Sequence, residues 1–228
     1  MREAPLGWLT SSPQAALAFL APEILGPDGL ARRIVLVRAS FDLRVRLRRA
    51  PGRPPAFERV AGGSRLTEQG FRGLVTPILP EAQRETAVPA CQISLNLHLV
   101  SDEPARVQLT GPYLWPGMRG WPGTLIAGRF PVRDWPRPLN AILEWHDPER
   151  DWVLKRGDPL AYMQILYDAP ELVPRLVEVA RTPALARHIE RLDLVSEVAR
   201  NVSPMFERAA HGRPARLVVP KRGEDGTA

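Results

Sequence analysis

Two stretches of the chain alternate apolar and polar residues with a period of two. From Val35 to Leu47 the odd positions read Val35, Val37, Ala39, Phe41, Leu43, Val45 and Leu47. The even positions from Arg38 read Arg38, Ser40, Asp42, Arg44, Arg46 and Arg48. Successive strand side chains point to opposite faces, so this pattern predicts one long strand with one face on a core and the other in solvent. Residues 91–99 repeat it: Cys91, Ile93, Leu95, Leu97 and Leu99 against Gln92, Ser94, Asn96 and His98. Shorter strands are expected near 74–79, 106–110, 124–130, 139–146 and 160–167. Turn residues separate them: the prolines of 51–55, Gly62-Gly63, Gly70, Gly73, and the Gly, Pro and Trp loop over 111–123.

The two ends read differently. Residues 1–31 look like a lead-in segment with a short helix near Pro13–Leu20, where Ser12 can cap and Pro13 suits a first turn. Residues 170–181 carry helical spacing at Leu172, Leu176 and Val179. Thr182 then caps a longer helix with Pro183 at its first position and an apolar stripe of Leu185, Ile189, Leu192, Val195, Ala199 and Val202. Ser203-Pro204 starts a last short helix, and 215–228 reads as a flexible tail. The expectation is one β-rich domain over 1–214, with a β core at 32–168 and a helical end at 170–210. Its fold class is mainly β (α+β): an antiparallel β-sandwich, jelly-roll-like, with C-terminal helices packed against it.

Composition narrows the class. The 228 residues include 25 prolines, about twice the usual share of roughly 5%, which fits many turns and short strands. The single cysteine, Cys91, excludes an internal disulfide framework and any paired-cysteine metal or redox site. No apolar run approaches the roughly 18 residues of a membrane span, and no signal-peptide pattern frames the N-terminus, so a cytoplasmic protein is expected. The net charge is +6, yet residues 32–53 hold eight arginines and one acid, or +7, which leaves about −1 for everything else. The basic character is local. An Arg38, Arg44, Arg46 and Arg48 face could attract an acidic partner, but it has no interleaved aromatics, and nucleic acid is not the expected ligand.

Catalytic signatures are absent: there is no phosphate-cradling glycine loop, no nucleophile elbow and no paired-histidine metal motif. Two constellations remain. His98 and His146 lie on the polar phases of two expected strands, and Glu144 shares the phase of His146. Two histidines and a carboxylate on a jelly-roll sheet are the donor set of a non-haem iron oxygenase. The other constellation is aromatic. Trp115, Trp121 and Trp135 stand in proline-rich loops, each directly before a proline, and rigid loop aromatics can stack on a ligand. If the polar phases of 92–98 and 140–146 face each other, Asn96, His98, Asn140, Glu144 and His146 would form the walls of a cleft with Trp115, Trp121 and Trp135 at its rim.

Residues 139–166 place an aromatic-ended strand, a charged turn, a Trp152-Val153-Leu154 strand and an Arg156-Gly157-Asp158-Pro159-Leu160 turn before a last strand. With Gly73-Leu74-Val75-Thr76-Pro77, the turn at Ser101–Pro104 and Pro122-Gly123, this layout resembles an uncharacterised bacterial family of domain-of-unknown-function type. That family has Asn-Trp and Gly-Glu-Pro where this chain has Glu144-Trp145 and Gly157-Asp158-Pro159. The resemblance covers 64–168 and implies a shared fold without chemistry to carry over. The functional expectation is a non-catalytic binding or accessory module using its tryptophan loops, with an unknown small molecule or protein as partner and no implied cofactor. The alternatives are the metal-dependent oxygenase and an electrostatic binder acting through the arginine face.

Overall fold

The protein was described as a computed structural model. It describes residues 2–10, 18–21, 33–39, 42–64, 66–78, 88–198 and 211–221. The element that organises it is β7 (Ala90–Ser101). Cys91, Ile93, Leu95, Leu97 and Leu99 are fully buried on one face, as the alternation requires. Antiparallel to β7 on one side runs β11 (Arg137–Trp145). On the other side lie β6 (Val75–Ile78) at one end and β1 (Arg2–Thr10) at the other. The sheet is completed by β9 (Gly123–Leu125) beyond β11 and β14 (Leu172–Glu178) beyond β1. The β1–β14 pair is parallel, so the sheet is mixed.

A second sheet runs β10 (Gly128–Pro131), β8 (Ala105–Thr110), β13 (Pro159–Tyr167), β3 (Ile34–Ala39) and β2 (Ala18–Ala21). A third, small sheet consists of β12 (Trp152–Leu154), β4 (Leu43–Arg48) and β5 (Ala56–Arg59). Inward residues of all three, such as Leu97, Met163 and Val45, share one apolar cluster, giving a β-rich, sandwich-like α+β fold. Among the described residues the named α-helices are α1 (Glu68–Leu74) and α2 (Pro183–Val198). Leu185 and Ile189 of α2 pack with Leu9, Val100, Val177 and Val179, covering the outer face of the first sheet with help from Leu217 and Val218. Thr182 Oγ1 accepts from Leu185 N at 3.2 Å, the expected cap.

Several expectations are corrected. The Val35–Leu47 alternation is two strands, β3 and β4, in different sheets. The chain leaves the second sheet after Ala39, whose backbone bonds both Gly157 N (2.8 Å) and Asp158 O (2.9 Å). Parity survives the crossing, so Val35, Val37, Ala39, Leu43, Val45 and Leu47 are all buried; Phe41 lies outside the described residues. The helix expected over 170–181 is largely the strand β14. Val173, Val177 and Val179 are buried beside β1, and Pro174 is tolerated because β14 is an edge strand that can spare one donor.

The lead-in segment contributes β1 to the main sheet and β2 to the second; the helix expected near 13–20 ends on β2, and 11–17 lie outside the described residues. The strand expected over 124–130 is β9 and β10, in separate sheets. The turn-rich stretch 56–90 holds β5, α1 and β6; α1 starts where Thr67 Oγ1 accepts from Gly70 N at 3.1 Å. The expected helix at 203–204 lies outside the described residues. Residues 215–221, expected as loose tail, are docked: Leu217 and Val218 are buried, and Pro220 bridges Val179.

Candidate functional site

Strand pairing brings β7 and β11 together as expected, but not the residues they were to deliver. His98 pairs with Pro138, Ser94 with Asn140, and Ala90 with Glu144. His146 lies eight residues beyond Pro138, so at about 3.3 Å per residue it is roughly 26 Å along the strand from His98. Glu144 is roughly 20 Å away on the same scale. The triad of His98, Glu144 and His146 therefore does not assemble. Among the described residues no three His, Cys, Asp or Glu side chains cluster as metal ligands would.

The individual placements explain why. His98 pairs with Leu9 of β1, on the face that α2 covers, and is buried. Burial, and then the nearby charge of Arg181, push its imidazole down to about 4. His146 is exposed just past the end of β11, with its backbone N–H on Pro122 O at 2.9 Å. Asn140 Oδ1 is shielded without a hydrogen-bond partner. Asn96 sits where the β7–β11 register shifts, between Pro138 and Asn140 of the partner strand; its side chain lies outside the described residues.

The tryptophans form no rim. Trp121 is 6% exposed and Trp135 9%. Trp121 stands edge-on to Trp152 at 5.4 Å, and half-buried Trp115 edge-on to Trp121 at 6.3 Å. Phe57 tilts against Trp145 at 5.5 Å. Trp135 belongs elsewhere, against Leu192 of α2. Loop prolines and Gly117, whose missing side chain leaves room for the Trp115 ring, let the loop fold its aromatics inward. Cys91, in the core, has its thiol pushed up to about 12 by burial.

The arginine face is internally compensated. Arg46 makes two bonds to Asp151, at 2.7 and 2.8 Å, and Arg44 one at 2.7 Å. Those hydrogen bonds, Arg46 first, hold the Asp151 carboxyl below its ordinary value. Arg48 pairs with Glu58 at 2.9 Å, and Arg38 donates to Gly157 O at 2.8 Å. Sequence reasoning expected all four arginines exposed; Arg38, Arg44 and Arg46 are half-buried by these partners. Asp158 has a structural role in its turn: its side chain accepts from Lys155 N at 2.8 Å while Gly157 takes φ +90°.

The larger concavity was not visible in the sequence. A groove of about 660 Å³ runs between β5 on one side and α1 with β6 on the other. Its apolar wall includes Pro54, Pro55, Phe57, Phe71 and Val75. Every residue from Pro54 to Arg59 lines it, so it views β5 along its edge rather than on one face. Val60 N bonds Arg44 O, and Arg59 stands opposite Val45. In that register the backbone groups of Phe57 and Arg59 point away from β4. β5 is the last strand of its sheet, so these groups border the groove. The opposite wall is closed to pairing at Pro77, which has no N–H. Charges along the groove are balanced: Glu68 lies 3.2 Å from Arg72 and 3.6 Å from Arg59.

No protein-family model matches the chain, and no curated protein matches its sequence. No helix among the described residues is long and apolar enough to cross a membrane.

Proposed function

We propose that the protein is a non-catalytic binding module whose β5–α1–β6 groove takes an extended peptide segment of a partner protein. The observation that carries this reading is the open edge of β5 along an apolar groove. Backbone groups of Phe57 and Arg59 offer strand-type hydrogen bonds, and Phe57, Phe71 and Val75 offer an apolar wall. Strand addition of this kind draws affinity from main-chain bonds and specificity from side-chain pockets. Balanced charges along the groove favour a segment of near-neutral character. The tryptophans act behind this surface: Trp145 supports Phe57 from within.

Peptides selected by display against the full chain provide the probe. Binding should slow amide hydrogen exchange at Phe57 and Arg59. Arg59→Pro removes an outward donor and leaves the inward ladder intact; it should weaken binding about tenfold or more, while Arg59→Gln should not. Selected peptides that protect other sites, equal binding by both variants, or a concentration-dependent dimer that occupies the groove would each overturn the reading.

A further inference from the structure

The buried stripe of α2, with Leu185 and Ile189 on the sheet and Leu192 against Trp135, leaves a second helical row beside it: Ala184, Arg187, His188 and Arg191. Arg187 and Arg191 of this row are exposed, and His188 between them is buried. The 211–214 segment passes alongside, anchored by Arg213. That guanidinium is 2% exposed and bonds Asp102 Oδ1 and Ser101 O (both 2.7 Å) and Arg133 O (2.6 Å). Between helix and segment lies a cavity of about 220 Å³, lined by Ala184, Arg187, His188, Arg191, Gly212 and Pro214. Gly212 lets the wall come close, since a Cβ there would lie 2.8 Å from Arg191 Nη1.

The polar groups of this cavity are one-sided. Arg187 donates to Pro183 O on its own helix, and among the described residues neither Arg187 nor Arg191 has a carboxylate partner. Asp102 is engaged with Arg213, and Asp134 with Arg133 at 3.1 Å. His188 is 4% exposed, yet its Nε2 has no hydrogen-bond partner. Among the described residues the His188 ring nitrogen thus lies shielded beside two guanidinium groups with no carboxylate paired to them, and buried polar groups are rarely left without a partner.

We propose that this cavity binds a tetrahedral oxyanion, either phosphate itself or the phosphate group of a small ester, between Arg187 and Arg191 with His188 Nε2 as the third contact. The cavity is small for an organic ligand but suits a charged group of a few heavy atoms. Guanidinium groups match oxyanions by paired N–H donors. A third contact from Nε2 requires the imidazole to donate there. Burial, and then the charges of Arg213 and Arg191, hold His188 below its ordinary value; the Asp134 backbone and side chain act in the opposite direction. An anion in the cavity offsets the arginine charges and favours the protonated ring. Binding thus takes up a proton, and affinity rises as pH falls.

Sulfate is the first probe, because it stays a dianion throughout and any pH dependence belongs to the protein. With the full chain, sulfate should shift the His188 ring resonances saturably. Affinity should strengthen about fivefold or more from about pH 7.5 to about pH 5.5. Arg187→Gln with Arg191→Gln should weaken binding about tenfold or more. Both side chains are exposed, so this variant tests the site without threatening the fold. His188→Gln should abolish the pH dependence. Inorganic phosphate against glycerol 3-phosphate then separates the sources: tighter binding of the ester assigns a phosphate ester, equal binding the free anion. Absence of a saturable shift, an unchanged response in the double arginine variant, or pH-independent sulfate affinity would overturn the proposal.

Discussion

His98 shows how far a residue's character depends on what lies over it. Its strand phase is right, since Gln92 and Ser94 on the same face are half-buried, but α2 and the 217–218 segment close over the end of β7 where His98 sits. Nothing local announces that cover; it comes from elements about a hundred residues away. The odd positions of β7 were legible for the opposite reason, because five apolar residues on one phase state their own burial. The consequence for His98 is a pH dependence. Its folded value, about 4, lies below the unfolded value of roughly 6.5. Stability from the buried neutral ring is therefore complete above about pH 6.5 and is lost as pH falls toward 4, by on the order of 3 kcal/mol. His188 contributes with the same sign. Urea unfolding of wild type and His98→Gln between pH 7 and 4 should show a flatter profile in the variant. Parallel profiles would mean that His98 titrates alike in both states.

At the scale of elements, local pattern succeeded where one face meets one core and failed where partners decide. Thr182-Pro183 begins a helix on its own chemistry, and the structure starts α2 there. Residues 170–181 fit a helix by Leu172, Leu176 and Val179, and equally a strand by Val173, Val177 and Val179; β1 decides between them by supplying a parallel ladder. The docking of 215–221 has a similar cause. Asp102, in the β7–β8 turn, accepts from Leu217 N at 2.8 Å, Val218 N at 3.1 Å and the Arg213 guanidinium. A lone aspartate in a turn gave no hint of three donors from over a hundred residues on. Removing the guanidinium leaves carbonyls of Ser101 and Arg133 without their donor. Arg213→Met is expected to cost about 3–5 kcal/mol by urea unfolding, and to open the Leu217 and Val218 amides to hydrogen exchange. A loss under about 1 kcal/mol would show that the segment is held by apolar packing alone.

For the molecule as a whole, the sequence suggested a β core confined to 32–168, and the structure distributes that core to both ends of the chain. β1 supplies Ala4 and Leu6 to the central cluster and pairs with β7 over Ser101–Leu97, and β14 then covers β1. Strand phase reveals which face is buried but not which strands are neighbours; the pairing of β7 with β11 entered only as a condition of the expected cleft, and β1 and β14 offered no alternation long enough to notice. A fragment of residues 32–168 is thus expected to fail as a folded unit. Its β7 would present an unpaired edge from Leu97 to Ser101, and Val100 would lose the cover of Val177, Val179, Leu185 and Ile189. An open apolar edge of this kind templates association. The full chain should unfold in one transition, seen alike by tryptophan fluorescence and far-ultraviolet circular dichroism, because one apolar cluster joins all three sheets. The fragment should bind hydrophobic dye, associate with rising concentration and lack a sharp urea transition. A monomeric fragment with cooperative unfolding would show that the sandwich closes without its terminal strands, and that β1 and β14 are additions to the core and not parts of it.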